Sequence, residues 1–127
     1  MNKRFIALGT AGVVLAAPAA LMLTAAPAHA DVERRGTCGG GTYELSVDRE
    51  GRGYEVNVDL DHVAAGSKWR VVITQDGTRK AKVVRTAERD GDLDVERYLP
   101  NTAGKDTFKF TAKRLGSKTK CGVGITV

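Results

Sequence analysis

From residue 43 onward the chain alternates apolar and polar residues in short runs separated by turn formers. Tyr43, Leu45 and Val47 alternate with Glu44, Ser46 and Asp48, and Tyr54, Val56, Val58 and Leu60 alternate with Glu55, Asn57 and Asp59. A period of two marks a strand with one buried face. Glu50-Gly51-Arg52-Gly53 joins these two strands as a hairpin turn. After a looser stretch over 61–67, Trp69, Val71 and Ile73 point inward on a third strand while Lys68, Arg70 and Thr74 point outward, and Asp76-Gly77 closes a second hairpin. A fourth strand over 79–86 ends at Asp90-Gly91. Leu93 and Val95 mark a fifth, Phe108, Phe110 and Ala112 a sixth, and Cys121, Val123 and Ile125 a seventh. No stretch keeps a period of 3.6, and no internal repeat is present. Seven short strands with turn signals roughly every 8 to 12 residues predict an all-β fold, a single β-sandwich.

The first thirty residues stand apart from this pattern. Lys3 and Arg4 precede an Ala-rich apolar run over 5–26, and Ala28-His29-Ala30 supplies the small-x-small sequence of a signal peptidase site. Residues 1–30 are therefore expected to be a cleaved signal peptide and residues 31–127 the β-sandwich domain, starting at Asp31. Pro18 interrupts the apolar run, which argues against a retained membrane anchor. Lys3-Arg4 is not a twin-arginine pair, and no cysteine beside the cleavage site could carry a lipid. The expectation is a secreted product, extracellular or held at the cell wall, with no membrane attachment after cleavage.

Removing the signal changes the charge balance. Residues 31–127 hold eighteen Lys and Arg against fifteen Asp and Glu, a net charge of +3 instead of the +5 of the whole chain. So small an excess names no partner by itself; the placement of the charges has to do so. Cys38 and Cys121 are the only cysteines, and in an oxidising compartment an even count pairs into one disulfide. A redox role lacks the Cys-x-x-Cys spacing it would need.

A tryptophan on the third strand with cysteines towards both ends resembles the immunoglobulin-like sandwich, although the bridge would tie the first strand to the last and not the second to the sixth. Cys38-Gly39 ahead of Tyr43-Glu44-Leu45, Trp69-Arg70-Val71 followed by Asp76-Gly77, and Asp106-Thr107-Phe108-Lys109-Phe110 before Cys121 together resemble small secreted actinobacterial proteins of unknown function. That resemblance spans residues 31–127. It implies a fold and a compartment and carries no catalytic residue.

The residue inventory excludes most catalytic and metal chemistry. His62 is the only histidine after residue 30, so no histidine cluster, zinc triad or two-histidine iron site can form. Neither a Gly-x-Ser-x-Gly turn nor a free thiol accompanies it, and it reads as a solvated loop residue. Both methionines, Met1 and Met22, fall in the signal. Asp90, Asp92, Asp94 and Glu96 imitate a calcium loop, but Leu93 and Val95 put them on a strand, where same-face side chains stand about 6.6 Å apart, too far for neighbours to share one ion. The same spacing could serve a glycosidase pair, yet a domain of this size offers little wall for a cleft. Leu99-Pro100-Asn101-Thr102-Ala103 resembles a sortase signal but lacks a following apolar segment, and reads as a turn. The chain is expected to be non-enzymatic, with no cofactor and no metal.

The outward charges sort by sheet. Placing the first, second and fifth strands in one sheet and the others in a second leaves Glu44, Asp48, Glu55, Asp59, Asp92, Asp94 and Glu96 outward on the first. Lys68, Arg70, Lys80, Lys82, Lys109, Lys113 and Lys120 are outward on the second. Like charges opposed across strands cost stability, so packing supplies no reason for such sorting. The expected function is a binding module whose basic face meets an anionic polymer, such as a wall polymer, or an acidic protein. Nucleic acid is disfavoured because that face has no outward aromatic for base stacking. The alternative is a secreted carrier of a small apolar ligand, which would need a cavity between the sheets or an open crevice; an enzyme of unrecognised type ranks third. The sequence does not specify an oligomeric state.

Overall fold

The computed structural model describes residues 31–127, and the expected signal peptide lies outside the described residues. Eight strands follow one another: β1 (Val32–Cys38), β2 (Gly41–Glu50), β3 (Gly53–Asp61), β4 (Lys68–Gln75), β5 (Thr78–Thr86), β6 (Leu93–Pro100), β7 (Thr107–Arg114) and β8 (Lys120–Thr126). They form two four-stranded sheets, β1-β2-β3-β6 and β5-β4-β7-β8, with every pairing antiparallel.

One strand exceeds the expectation of seven. In β1 the inward phase is Val32, Arg34, Gly36 and Cys38, and only its two ends are apolar, so the alternation is too weak to read. The strand is held by full pairing with β2, from Val32 opposite Val47 to Cys38 opposite Gly41. Gly36 is needed there because the Tyr43 ring lies where a Cβ would stand, its hydroxyl 2.5 Å from that point. Gly39 and Gly40 make the β1–β2 turn with φ of 53° and 87°. Asp76 and Gly77, with φ of 52° and 87°, make the β4–β5 turn. Two consecutive left-handed residues give the type I′ turn that matches strand twist.

The expected division of strands between the sheets holds, with β2, β3 and β6 on one side and β4, β5, β7 and β8 on the other. Numbered as the seven expected strands, the pairing runs first-second-fifth in one sheet and fourth-third-sixth-seventh in the other, and β1 adds an eighth strand at the edge of the first.

Alternation fills the space between the sheets. Leu45, Val47, Val56, Val58, Leu60 and Val95 from one sheet meet Trp69, Val71, Ile73, Phe108, Phe110 and Ile125 from the other, all fully buried. Two edge-on aromatic pairs cross the gap, Tyr43 with Phe110 and Tyr54 with Phe108, each with ring centres 5.3 Å apart, a separation at which such pairs add to plain burial. The Trp69 indole N–H donates to Ser67 Oγ at 2.8 Å, so its one polar atom is satisfied in the core. Cys38 and Cys121 are bonded, with Cα atoms 5.4 Å apart, and the bridge joins β1 of one sheet to β8 of the other. Asp31–Val127, the described residues, form one compact unit.

Candidate functional site

The four strands β4, β5, β7 and β8 contain no aspartate or glutamate. Registration then fixes which cations are neighbours. Arg70 stands opposite Lys113 on β7, and Lys113 opposite Lys120 on β8, so three cations form one row across three strands. Lys109 lies opposite Thr74, and Lys82 opposite Val72. A bulge between Ile73 and Thr74 leaves Lys80 unpaired on β5 while Ala81 turns inward opposite Ile73. Lys68, Arg70, Lys80, Lys82, Lys109, Lys113 and Lys120 thus share the outer face of this sheet, and Arg79, opposite the outward Thr74, joins them as an eighth cation. Lys113 Nζ donates to the Ser117 carbonyl at 2.9 Å; among the described residues none of the eight joins an ion pair.

Part of this face is bare backbone. Gly122 and Gly124 occupy two successive outward positions of β8, and together with Lys109, Thr111 and Lys120 they line an open groove of about 530 Å³. The bareness at Gly122 is imposed, since a Cβ there would stand 2.3 Å from the Phe110 carbonyl oxygen. The groove therefore has bare backbone at Gly122, while the Lys109 stem lies against Gly124, its Cγ 2.9 Å from where a Cβ would stand. An extended anionic chain could approach the sheet closely there. Sequence reasoning missed it, although two glycines one residue apart on an outward phase are legible.

The opposite face is acidic to a greater degree than its sequence reading suggested. Glu44, Asp48, Glu55, Asp59, Asp92, Asp94 and Glu96 lie on it, joined by Asp31, Glu33, Glu50 and Asp61 on the same phase. Glu44, Asp59 and Asp94 stand opposite one another across β2, β3 and β6, and Asp48 opposes Glu55. Among the described residues Arg35 is the only cation on this face. It makes the only ion pairs among the described residues, to Glu44 at 2.6 Å and Glu33 at 3.2 Å.

Such crowding shows in proton affinity. Burial, and then Asp94, Asp61 and Glu44 beside it, push the Asp59 carboxyl up to about 6. Burial and the neighbouring Asp31 and Glu55 do the same to Asp48, also to about 6, and its Oδ1 is buried without a partner. Glu55 is raised chiefly by Glu96, and Asp61 chiefly by burial. A carboxyl whose affinity for protons is higher folded than unfolded destabilises the fold when charged; stability is gained as pH falls through its folded value. Asp59→Asn should therefore stabilise the protein at pH ~7.5 by on the order of 1 kcal/mol, after discounting for solvent screening, and by much less at pH ~5. Urea unfolding of parent and variant at both pH values measures this. Equal stability at pH ~7.5 would show that the crowding costs nothing.

The remaining sequence candidates fall outside both faces or form no site. His62 is exposed, with φ of 61° just after β3. Asp90 Oδ1 accepts from the Asp92 N–H at 3.1 Å in a loop. Asp90, Asp92 and Asp94 line a shallow depression with Asp59, Asp61 and Glu88, and among the described residues no three His, Cys, Asp or Glu are grouped to hold a metal ion. The sortase-like stretch forms the end of β6 and the following loop, with Leu99 buried. No described helix is long and apolar enough to cross a membrane.

The fold and its faces define an all-β sandwich with one acidic and one basic outer sheet. Compared with known protein families, curated proteins and solved structures, the chain matches none.

Proposed function

We propose that the protein is a non-enzymatic, secreted binding module of the small actinobacterial kind, docking an anionic partner on the outer face of the β5-β4-β7-β8 sheet. A cell-wall polymer is the first such partner and an acidic protein the second. The observation that carries this reading is eight outward cations without one carboxylate in the four strands beneath them. Cross-strand repulsion makes such an arrangement costly in isolation, and a polyanion would relieve it. The groove over Gly122 and Gly124, flanked by Lys109 and Lys120, supplies the closest approach. A disulfide fits an extracellular setting.

Arg70→Glu with Lys109→Glu should leave stability within about 0.5 kcal/mol, as both sites are on the solvated face. It should weaken retention on an anionic polymer matrix roughly tenfold or more and lower the salt slope of binding by about two. Glu55→Lys with Asp94→Lys changes net charge by the same amount in the opposite sense on the other sheet. If the two double variants shift retention only as their net charges dictate, no docking face exists and the reading fails.

A further inference from the structure

The two outer faces are complementary to each other as well as to outside partners. The row Glu44, Asp59, Asp94 crosses β2, β3 and β6, and the row Arg70, Lys113, Lys120 crosses β4, β7 and β8. Within each row the charges sit on three adjacent strands, so both repeat at about 4.8 Å. Eleven carboxylates with only Arg35 among them form one face, and eight cations with no carboxylate form the other. Neither can neutralise the other within one molecule, because the faces point away from each other with the core between them. The face of known shape, spacing and opposite sign that could cover the acidic sheet belongs to another copy of the chain.

We propose that the acidic outer face of the β1-β2-β3-β6 sheet docks the basic outer face of the β5-β4-β7-β8 sheet of a second copy, head to tail. The contact is heterologous, so each added copy presents a fresh face of each sign, and the product is an open stack and not a closed dimer. The raised proton affinities of Asp48, Asp59, Glu55 and Asp61 fit this contact, since apposed ammonium and guanidinium groups would hold these carboxyls charged. The area bounds its strength. Four strands of about eight residues present roughly 500 Å² per partner, which places the contact in the small, transient class. Exposed charges carry it, so salt must dissolve it.

The inference stands on the charge of both faces and does not need the polymer reading, although the two compete for the basic face. Sedimentation velocity of protein spanning residues 31–127 tests it. In about 0.01 M salt, where charges act over about 30 Å, the weight-average mass should rise with concentration. In about 1 M salt it should return to the monomer. Arg70→Glu with Lys109→Glu, and separately Glu55→Lys with Asp94→Lys, should each weaken self-association at least tenfold. Mixed in equal amounts, these two variants should form one-to-one pairs that do not grow, because each keeps the face the other has lost. A chain carrying all four substitutions retains the parent's net charge and should stay monomeric.

A parent that remains monomeric in low salt overturns the proposal. So do oligomers that survive high salt, a four-fold variant that associates like the parent, or a mixture that forms no pairs. The polymer reading fails separately: Glu55→Lys with Asp94→Lys should lose self-association while keeping its retention on the anionic matrix.

Discussion

Replacing Cys38 and Cys121 with alanine, or reducing their bond, is expected to lower the stability of the fold by about 4.6 kcal/mol. The bridge spans 83 positions of sequence, and in the chain-entropy treatment closing a loop of that length removes about 4.6 kcal/mol worth of freedom from the unfolded chain. For a domain whose whole stability is of order 5–15 kcal/mol, that is from about three-tenths to nine-tenths of it. Part of the loss should appear first in β1, an edge strand whose partners are β2 on one side and, through sulfur, β8 in the other sheet. Urea unfolding with and without a reductant measures the difference. A change below about 1 kcal/mol would mean that the sheets hold each other without the bridge.

Asp106→Ala is expected to cost about 3 kcal/mol. Asp106 is fully buried at the sandwich's end. Its Oδ1 accepts from Gln75 Nε2 at 3.1 Å and from the Thr102 hydroxyl, and its Oδ2 from the Thr102 N–H at 3.2 Å. Gln75 also donates to the Pro100 carbonyl at 2.7 Å, so the carboxylate organises the whole β6–β7 loop. Its main chain exchanges two hydrogen bonds with Val127 at 3.1 and 2.9 Å. Truncation strands the buried Gln75 amide, costing about 1–3 kcal/mol, and removes both bonds from the exposed Thr102, which water can replace. Asp106→Asn keeps the shape but turns an N–H₂ towards a donor, and should cost less. Denaturant midpoints of the two variants rank these effects, and an Asp106→Ala value within about 0.5 kcal/mol of the parent refutes the account.

The donors around Asp106, the Thr102 hydroxyl first, hold its carboxyl below the ordinary value of 3.8. Its stabilisation is therefore complete above the ordinary carboxylate range and is lost as pH falls below about 4. The acidic sheet acts in the opposite sense and gains stability on acidification through about 6. The protein should accordingly be most stable near pH ~5, between the two titrations.

Strands with a strong alternation were legible in the sequence because each had to bury one row of side chains. Trp69, Val71 and Ile73 could face only one way, and the phase of Lys68 and Arg70 followed. The charge-bearing faces were readable for the same reason. β1 was not, because pairing with β2 and the bridge hold it where its own apolar content does not. Gln75 and Asp106 were passed over although they extend the inward phases of β4 and β7; a polar residue on a buried phase signals a hydrogen-bonded network, and the pair sits at adjacent strand ends. Strand order within the sheets was beyond reach, since alternation tells which side of a strand is buried and not which strand lies beside it.

The position of the bridge also sets how the molecule would behave under load. Cys38 ends the first strand and Cys121 nearly begins the last. A pull applied between Asp31 and Val127 reaches the covalent link after peeling only residues 31–37 and 122–127. Those thirteen residues can lengthen the chain by at most about 45 Å. Beyond that point tension runs through sulfur and bypasses the 82 residues between the cysteines, so six of the eight strands would feel no force at all.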